Sequence, residues 1–312
     1  MKLVFAGTPE PATVALQRLI DSDHEVIAVI TRPDARKGRG RTLHPSPVAA
    51  LAAEHGIEVH KPTSLKPDTE DGQAIRARLE ELQPDCIPVV AYGNLVTKDL
   101  LDIAPHGWVN LHFSLLPAWR GAAPVQAAIV AGDDITGATT FRIEEGLDTG
   151  PILGTLTQQI KPTDTADTLL TSLAHSGAEL LVATMDGLET GALQPMPQSG
   201  EPTYAAKITK DDARINWNQP DFAIDRMIRG YTPAPGPWTE LGAERYKIGA
   251  VQLTDSDTLQ PGQINVTKNE VAVGTGSNDL IITHIQPPGK KMMPAADWAR
   301  GAALEQGQEF TS

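Results

Sequence analysis

A chain of 312 residues with 40% hydrophobic composition is long enough for two domains and their cores, and none of its apolar runs approaches a membrane span. Its one cysteine, Cys86, excludes an internal disulfide and fits a reducing compartment. The net charge of −13 argues against nucleic-acid binding by the body as a whole, yet residues 32–41 hold five bases and one acid, so positive charge is concentrated in one segment.

The first residues, MKLVFAGTP, run straight into a strand at 3–6, without signal- or transit-peptide character, so a cytoplasmic location is expected. Gly7-Thr8-Pro9 turns that strand into a helix reaching residue 20, with Thr8 as its cap and Pro9 in its first turn. A single glycine in this turn does not make a dinucleotide fingerprint, which excludes NAD or FAD here. Residues 25–31 predict a second strand, and strand, helix and strand at this spacing begin a parallel βαβ fold. Residues 32–46, RPDARKGRGRTLHPS, carry no hydrophobic period. Gly38 and Gly40 loosen the segment, and Arg36, Lys37, Arg39 and Arg41 suit phosphate, although an isolated run of this kind reads first as a solvated basic loop.

The pattern then predicts a helix over 47–55, a strand over 58–60, a helix over 73–83, a strand over 85–90 and a short helix over 97–103. Pro88 is unusual for a central strand, because it removes a ladder donor. Residues 108–111 read as a buried strand whose period of two puts Asn110 and His112 on one side and Leu111 on the other. Pro117 breaks the chain, and Gly121 and Pro124 lead into a helix over 124–131. Strands at 138–143 and 152–158 flank the loop 144–151, and a long amphipathic helix follows over 166–188, with Leu169, Leu173, Leu180 and Leu181 on one face. Residues 195–210, rich in Pro, Gly and Thr, read as a linker. After a helix at 222–229, short runs at 245–251, 262–266, 270–273 and 280–285 predict a small β-barrel.

Ligands bind at the carboxyl ends of strands in open α/β sheets, which is where Asn110 and His112 emerge. Asp148 sits between Gly146 and Gly150, and by itself reads as an Asx-turn residue. The remaining histidines lie in no metal-ligand spacing, so no metal is expected, and the absence of a GxSxG elbow removes one hydrolase reading.

The run 109–124, VNLHFSLLPAWRGAAP, resembles the active-site segment of the 10-formyltetrahydrofolate-dependent formyltransferases. GLDTG at 146–150 resembles the family's aspartate loop, GRG followed by PSPV its tRNA-contacting insertion, and ARINW, PGPWTEL and PGKKMM the landmarks of its C-terminal domain. The resemblance covers nearly the whole chain and is looser after 210. It implies a Rossmann-like α/β catalytic domain with a mostly parallel sheet over 1–194, a linker over 195–210 and an OB-like β-barrel that binds tRNA over 211–312. It also implies that Asn110, His112 and Asp148 are catalytic, and that Tyr92, Leu95, Ser114, Leu115, Leu116 and Pro117 hold the folate. Arg36, Lys37, Arg39 and Arg41 would hold tRNA, with Arg39 probing the end of the acceptor stem.

The reaction so implied moves a formyl group from 10-formyltetrahydrofolate, a cosubstrate, to the α-amine of methionine esterified to initiator tRNA, and a monomer is expected. Attack is direct, through a tetrahedral oxyanion. Asn110 and a protonated His112 would donate to that oxygen, with Asp148 favouring the charged imidazole and relaying the amine proton. A formyltransferase or hydrolase of the same superfamily, acting for instance on glycinamide ribonucleotide or an amino-sugar nucleotide, would share the three catalytic groups but would not need the basic segment or residues 207–312. A non-catalytic RNA-binding protein built on the barrel would leave the catalytic groups unexplained. The chain departs from the family pattern at Pro88, Asn94, Phe113 and 232–235, and Phe113 is expected to crowd the folate.

Overall fold

The structure, a computed structural model, describes residues 1–37, 42–302, 304 and 307–311. Two compact units divide the chain. One comprises Met1–Pro124, Ile135–Gln159 and Leu170–Ala205, the other Val125–Asp134, Ile160–Leu169 and Ala206–Ser312.

In chain order the elements begin with β1 (Lys2–Gly7), α1 (Glu10–Ile20), β2 (Glu25–Ile30), β3 (Ala35–Lys37), β4 (Thr42–His44), α2 (Pro47–Glu54), β5 (Glu58–His60), α3 (Glu70–Leu82), β6 (Ile87–Val90) and β7 (Trp108–His112). They continue with β8 (Arg120–Gly121), α4 (Pro124–Ala131), β9 (Ile135–Arg142), β10 (Ile152–Gln159), α5 (Ala166–Glu189) and β11 (Tyr204–Ala205). The main sheet has the order β10-β9-β7-β6-β1-β2-β5. It is parallel from β7 to β5, and β9 and β10 are antiparallel to their neighbours. Burial on both faces explains why β1 and β6 read as unbroken apolar runs. Val4, Ala6, Ile30, Ile87, Val89 and Trp108 form one core with Ile75 and Leu79 of α3. Each such large side chain contributes about 1.5–3 kcal/mol on burial.

Several local expectations change. Thr8 does not cap α1: Pro9 takes the cap position, and the Thr8 hydroxyl donates to the Tyr92 carbonyl at 3.0 Å. Helix α3 starts at Glu70 because Thr69 caps it, accepting from the Gly72 amide at 3.1 Å. The expected helix at 97–103 is a single tight turn, Lys98–Leu100. Pro88 does lie in a central strand, at the second position of β6, where the ladder begins with the Ile87 amide donating to the Gly107 carbonyl at 3.0 Å. The basic segment is not wholly irregular, since β3 and β4 pair antiparallel on either side of residues 38–41.

The other unit, which also takes in nearly all of α4 and the start of α5, carries α6 (Asp221–Gly230), β12 (Trp238–Leu241), β13 (Glu244–Ile248), β14 (Val251–Leu253), β15 (Ile264–Val266), β16 (Val271–Val273), β17 (Leu280–Ile282), β18 (His284–Gln286), β19 (Met293–Pro294), α7 (Ala295–Gly301) and β20 (Phe310–Thr311). Two antiparallel sheets, β19-β18-β13-β12-β20 and β14-β17-β16-β15, share strand paths. The run expected at 245–251 splits into β13 and β14 around Gly249, and the run expected at 280–285 splits into β17 and β18 at Thr283, so each chain passes from one sheet to the other. Phe310 donates to the Gly262 carbonyl at 2.8 Å, which brings the segment before β15 beside β20 and closes the strands as a small barrel. Its core includes Ile215, Trp217, Ile248, Leu280 and Phe310, with the Trp217 and Phe310 rings stacked 5.8 Å apart.

Candidate active site

Strand β7 lies between β6 and β9, with Asn110 in register with Val89 and Phe141. Asn110 is half-buried, and its carboxamide makes no hydrogen bond to the described residues, so both its donor and its acceptor end lack a partner among them. Phe113 continues the opposite alternation: its ring and the Leu111 side chain stand against Gly177 of α5. The Phe113 ring therefore packs on the helix side of the strand.

His112 is 6% exposed. Its Nε2 lies 2.9 Å from the Trp119 carbonyl oxygen, which only accepts, so the proton sits on Nε2. Its Nδ1 then points at Asp148, 3.7 Å from Oδ2. Burial pushes the imidazole below the ordinary histidine range and outweighs the Asp148 carboxylate and the Trp119 carbonyl, which both pull it up. This reverses the expected charge. The resting imidazole is neutral and presents a lone pair at Nδ1, which suits it to accept a proton rather than to donate to an oxyanion.

Asp148 adopts a left-handed backbone, φ +51°, which aspartate tolerates better than most residues. Its Oδ2 accepts from the Gly121 amide at 2.8 Å. Gly121 itself has φ +122°, and a Cβ there would stand 2.5 Å from the Ala205 carbonyl oxygen, so the position admits only glycine. That closeness comes from β8 and β11, which pair in parallel. The Gln198 side-chain amide donates to the carbonyls of Asp148 and Gly150, both at 2.8 Å, and its Oε1 accepts from Arg120 Nη2 at 2.6 Å and Nε at 3.2 Å. Trp119, also left-handed, donates its amide to the Thr203 hydroxyl at 2.8 Å. Gln198 and Thr203 were not among the expected site residues.

The expected folate residues are differently placed. Ser114 is fully buried, and its hydroxyl donates to the Ala118 carbonyl at 2.6 Å. Leu116 is buried, with its amide on Thr139 Oγ1 at 3.3 Å, whereas Leu115 and Pro117 are half-buried. Tyr92 is buried just after β6, the strand next to β7, and its hydroxyl accepts from Asn94 at 3.2 Å. Asn94 also accepts from the Arg32 guanidinium. Leu95 is 75% exposed. Arg36 is exposed on β3 and Lys37 ends that strand, while Arg39 and Arg41 lie outside the described residues. Among the described residues, no group of three or more His, Cys, Asp or Glu could hold a metal ion.

The formyl transferase family model matches residues 1–185, and the model of the formyl transferase C-terminal domain matches residues 207–303. A curated methionyl-tRNA formyltransferase of Corynebacterium glutamicum (strain R) is 67% identical over 99% of this chain and 100% of its own length. Another, from Thermobifida fusca (strain YX), is 57% identical over 99% of each. Among solved structures, WlaRD, a sugar 3N-formyl transferase, is similar with a TM-score of 0.68 at 19% identity, covering 93% of this chain and 99% of that one. A methionyl-tRNA formyltransferase from Clostridium thermocellum is similar with a TM-score of 0.57 at 16% identity, covering 81% of this chain and 94% of that one. At such identities these two structures speak to the fold alone.

Proposed function

The chain belongs to the formyl transferase family, and from that premise we propose that Asn110, His112 and Asp148 carry its chemistry. The reaction is transfer of a formyl group from 10-formyltetrahydrofolate to the α-amine of methionyl-tRNA. The observation that carries this reading is 57–67% identity, over almost the full length, to curated methionyl-tRNA formyltransferases. The sugar formyltransferase shares the architecture at much lower identity.

Free α-amines titrate at about 7.7–8.0, so a useful fraction is neutral and nucleophilic near neutral pH. The amine attacks the formyl carbon, and the carbonyl oxygen becomes an oxyanion. Asn110, whose amide has no competing partner among the described residues, donates to that oxygen. His112 Nδ1 takes the proton from the attacking nitrogen. The imidazolium so formed lies 3.7 Å from the Asp148 carboxylate, an attraction of about 4 kcal/mol at an effective dielectric of about 20. His112 then passes the proton to the folate nitrogen as the carbon–nitrogen bond to the cosubstrate breaks. The products are N-formylmethionyl-tRNA and tetrahydrofolate, and no covalent enzyme intermediate is needed.

Tyr92, Leu95 and the turn Ser114, Leu115, Leu116 and Pro117 are assigned to folate, and Arg36, Lys37, Arg39 and Arg41 to the tRNA phosphates. The catalytic domain is assigned to 1–194, the linker to 195–210 and a tRNA-binding domain to 211–312, acting as a monomer. The deciding assay incubates purified protein with 10-formyltetrahydrofolate and charged initiator methionyl-tRNA at several salt concentrations and looks for N-formylmethionine. Product that falls for Arg39→Ala supports both the reaction and the basic segment's role. Failure to form it at any salt, with turnover of a small amine instead, refutes the tRNA assignment.

A further inference from the structure

We infer that Gln198 and Thr203 are positioning residues of the reaction, acting as a strap that holds Asp148 and His112 at their working separation. The inference rests on the reading of Asn110, His112 and Asp148 as the catalytic groups. One side-chain amide, that of Gln198, holds two carbonyls of the aspartate loop, Asp148 and Gly150, each at 2.8 Å. Both carbonyls need a donor, and among the described residues no backbone amide supplies one: β9 ends at Arg142 and β10 begins at Ile152, leaving this loop between them. The Gln198 oxygen is fixed in turn by two nitrogens of Arg120, so the amide is oriented with its NH₂ toward the loop. Arg120 immediately precedes Gly121, the residue whose amide holds the Asp148 carboxylate. The carboxylate and the backbone beneath it are therefore held by one connected network.

Five residues further on, the Thr203 hydroxyl accepts from the Trp119 amide at 2.8 Å, and the Thr203 carbonyl accepts from the Arg120 amide at 2.9 Å. Trp119 is the residue whose carbonyl fixes the His112 proton on Nε2. Its left-handed backbone, φ +58°, is unfavourable for a bulky side chain and needs outside support. Gln198 thus acts on Asp148, and Thr203 acts through Trp119 on His112. Neither residue needs to touch a substrate.

The test combines kinetics with amide hydrogen exchange, read over peptides covering 119–121 and 146–150. Gln198→Glu keeps the size and the acceptor for Arg120 but turns an oxygen toward two carbonyls. Gln198→Ala removes the contact, and Thr203→Val and Thr203→Ser remove and keep the hydroxyl. The expected result is a kcat loss of about 10²-fold for both Gln198 variants, with KM for either substrate changed less than about threefold. Exchange at both peptides should rise by about tenfold or more. Thr203→Ser should keep wild-type kcat while Thr203→Val loses it. Wild-type kcat, or unchanged exchange, in Gln198→Glu overturns the inference, as does equal loss in Thr203→Val and Thr203→Ser. If a Gln198 variant fails to fold, the Thr203 pair decides. If the wild-type protein makes no N-formylmethionine, the reaction reading fails, and exchange alone then judges whether the strap holds the two loops.

Discussion

Replacing Asn110 with alanine should separate activity from stability. The carboxamide makes no hydrogen bond with the described residues, so its removal orphans no partner, and the side chain is only half-buried, so little packing is lost. A surface-like cost of about 0.5 kcal/mol or less in folding stability is expected. The same truncation removes the donor proposed for the developing oxyanion. Loss of one such donor typically lowers turnover by about 10²–10³, or roughly 2.7–4 kcal/mol of transition-state stabilisation. The assay is single-turnover formylation of charged initiator tRNA alongside urea denaturation of the same preparation. Since the amide would bind the oxyanion more strongly than the ground-state carbonyl, kcat should fall much more than KM rises. Near-normal single-turnover rates in Asn110→Ala would refute the oxyanion role. A stability loss of several kcal/mol would refute the claim that the amide is held in reserve for a ligand.

The His112 imidazole titrates below its ordinary value of 6.5 when folded, so the unfolded chain binds more protons between the two values and stability rises with pH across that window. Wild-type protein should therefore lose up to about 1.4 kcal/mol per unit as pH falls from 6.5 toward the folded value, a slope that His112→Asn lacks. Denaturant midpoints between pH 5 and pH 7.5 measure it, and identical slopes would count against a buried neutral histidine. Gly121→Ala places a Cβ against the Ala205 carbonyl at a φ that L-residues avoid, which should cost about 3 kcal/mol in thermal or urea melts and reduce kcat by disturbing the amide that holds Asp148. Wild-type stability there would show that β8 and β11 yield easily. The Cys86 thiol, pushed up to about 12 by burial, should resist alkylation at pH 8 in the native protein and react once denatured, and rapid native labelling would contradict its burial.

The alternation of WVNLH was enough to set Asn110 and His112 on one face, because a strand's period of two fixes side-chain direction regardless of the rest of the chain. The antiparallel C-terminal strands were legible in the change of grammar after 210, where long periodic helices give way to short runs between turns, whereas nothing in the pattern marks residues 125–134 and 160–169 as belonging to the second unit. What sequence could not convey was the means of support. Residues 198–205 look like a linker because their ties are a carboxamide, a hydroxyl and backbone groups reaching residues 48 to 84 positions away, and such ties leave no hydrophobic period. The splits at Gly249 and Thr283 were hidden for the opposite reason: apolar residues flank both bends closely, and only the change of sheet breaks the strand. The aspartate of GLDTG was legible through resemblance alone, since its approach to His112 depends on a left-handed residue and on the Gly121 amide from a distant turn.

The charge of His112 follows from a competition that sequence does not quantify. A nearby carboxylate favours imidazolium, and that argument sufficed to expect a protonated histidine. Burial disfavours any charge, and here it wins, because the carboxylate stands 3.7 Å from Nδ1 and is itself engaged by the Gly121 amide. The consequence bears on catalysis. With Nδ1 unprotonated, Asp148 and His112 share no hydrogen bond in the resting enzyme, so their attraction stabilises little of the ground state. In the proposed reaction it arises when the proton arrives from the attacking amine, which is when the barrier is being crossed. An interaction that strengthens only along the reaction raises turnover rather than substrate affinity. Such an arrangement requires a fixed separation, since a collapsed pair would trap the imidazolium and a wider one would forfeit the attraction. Fixing the separation requires ties to both loops that do not themselves titrate, and amide and hydroxyl groups such as those of Gln198 and Thr203 meet that requirement where carboxylates or histidines would not.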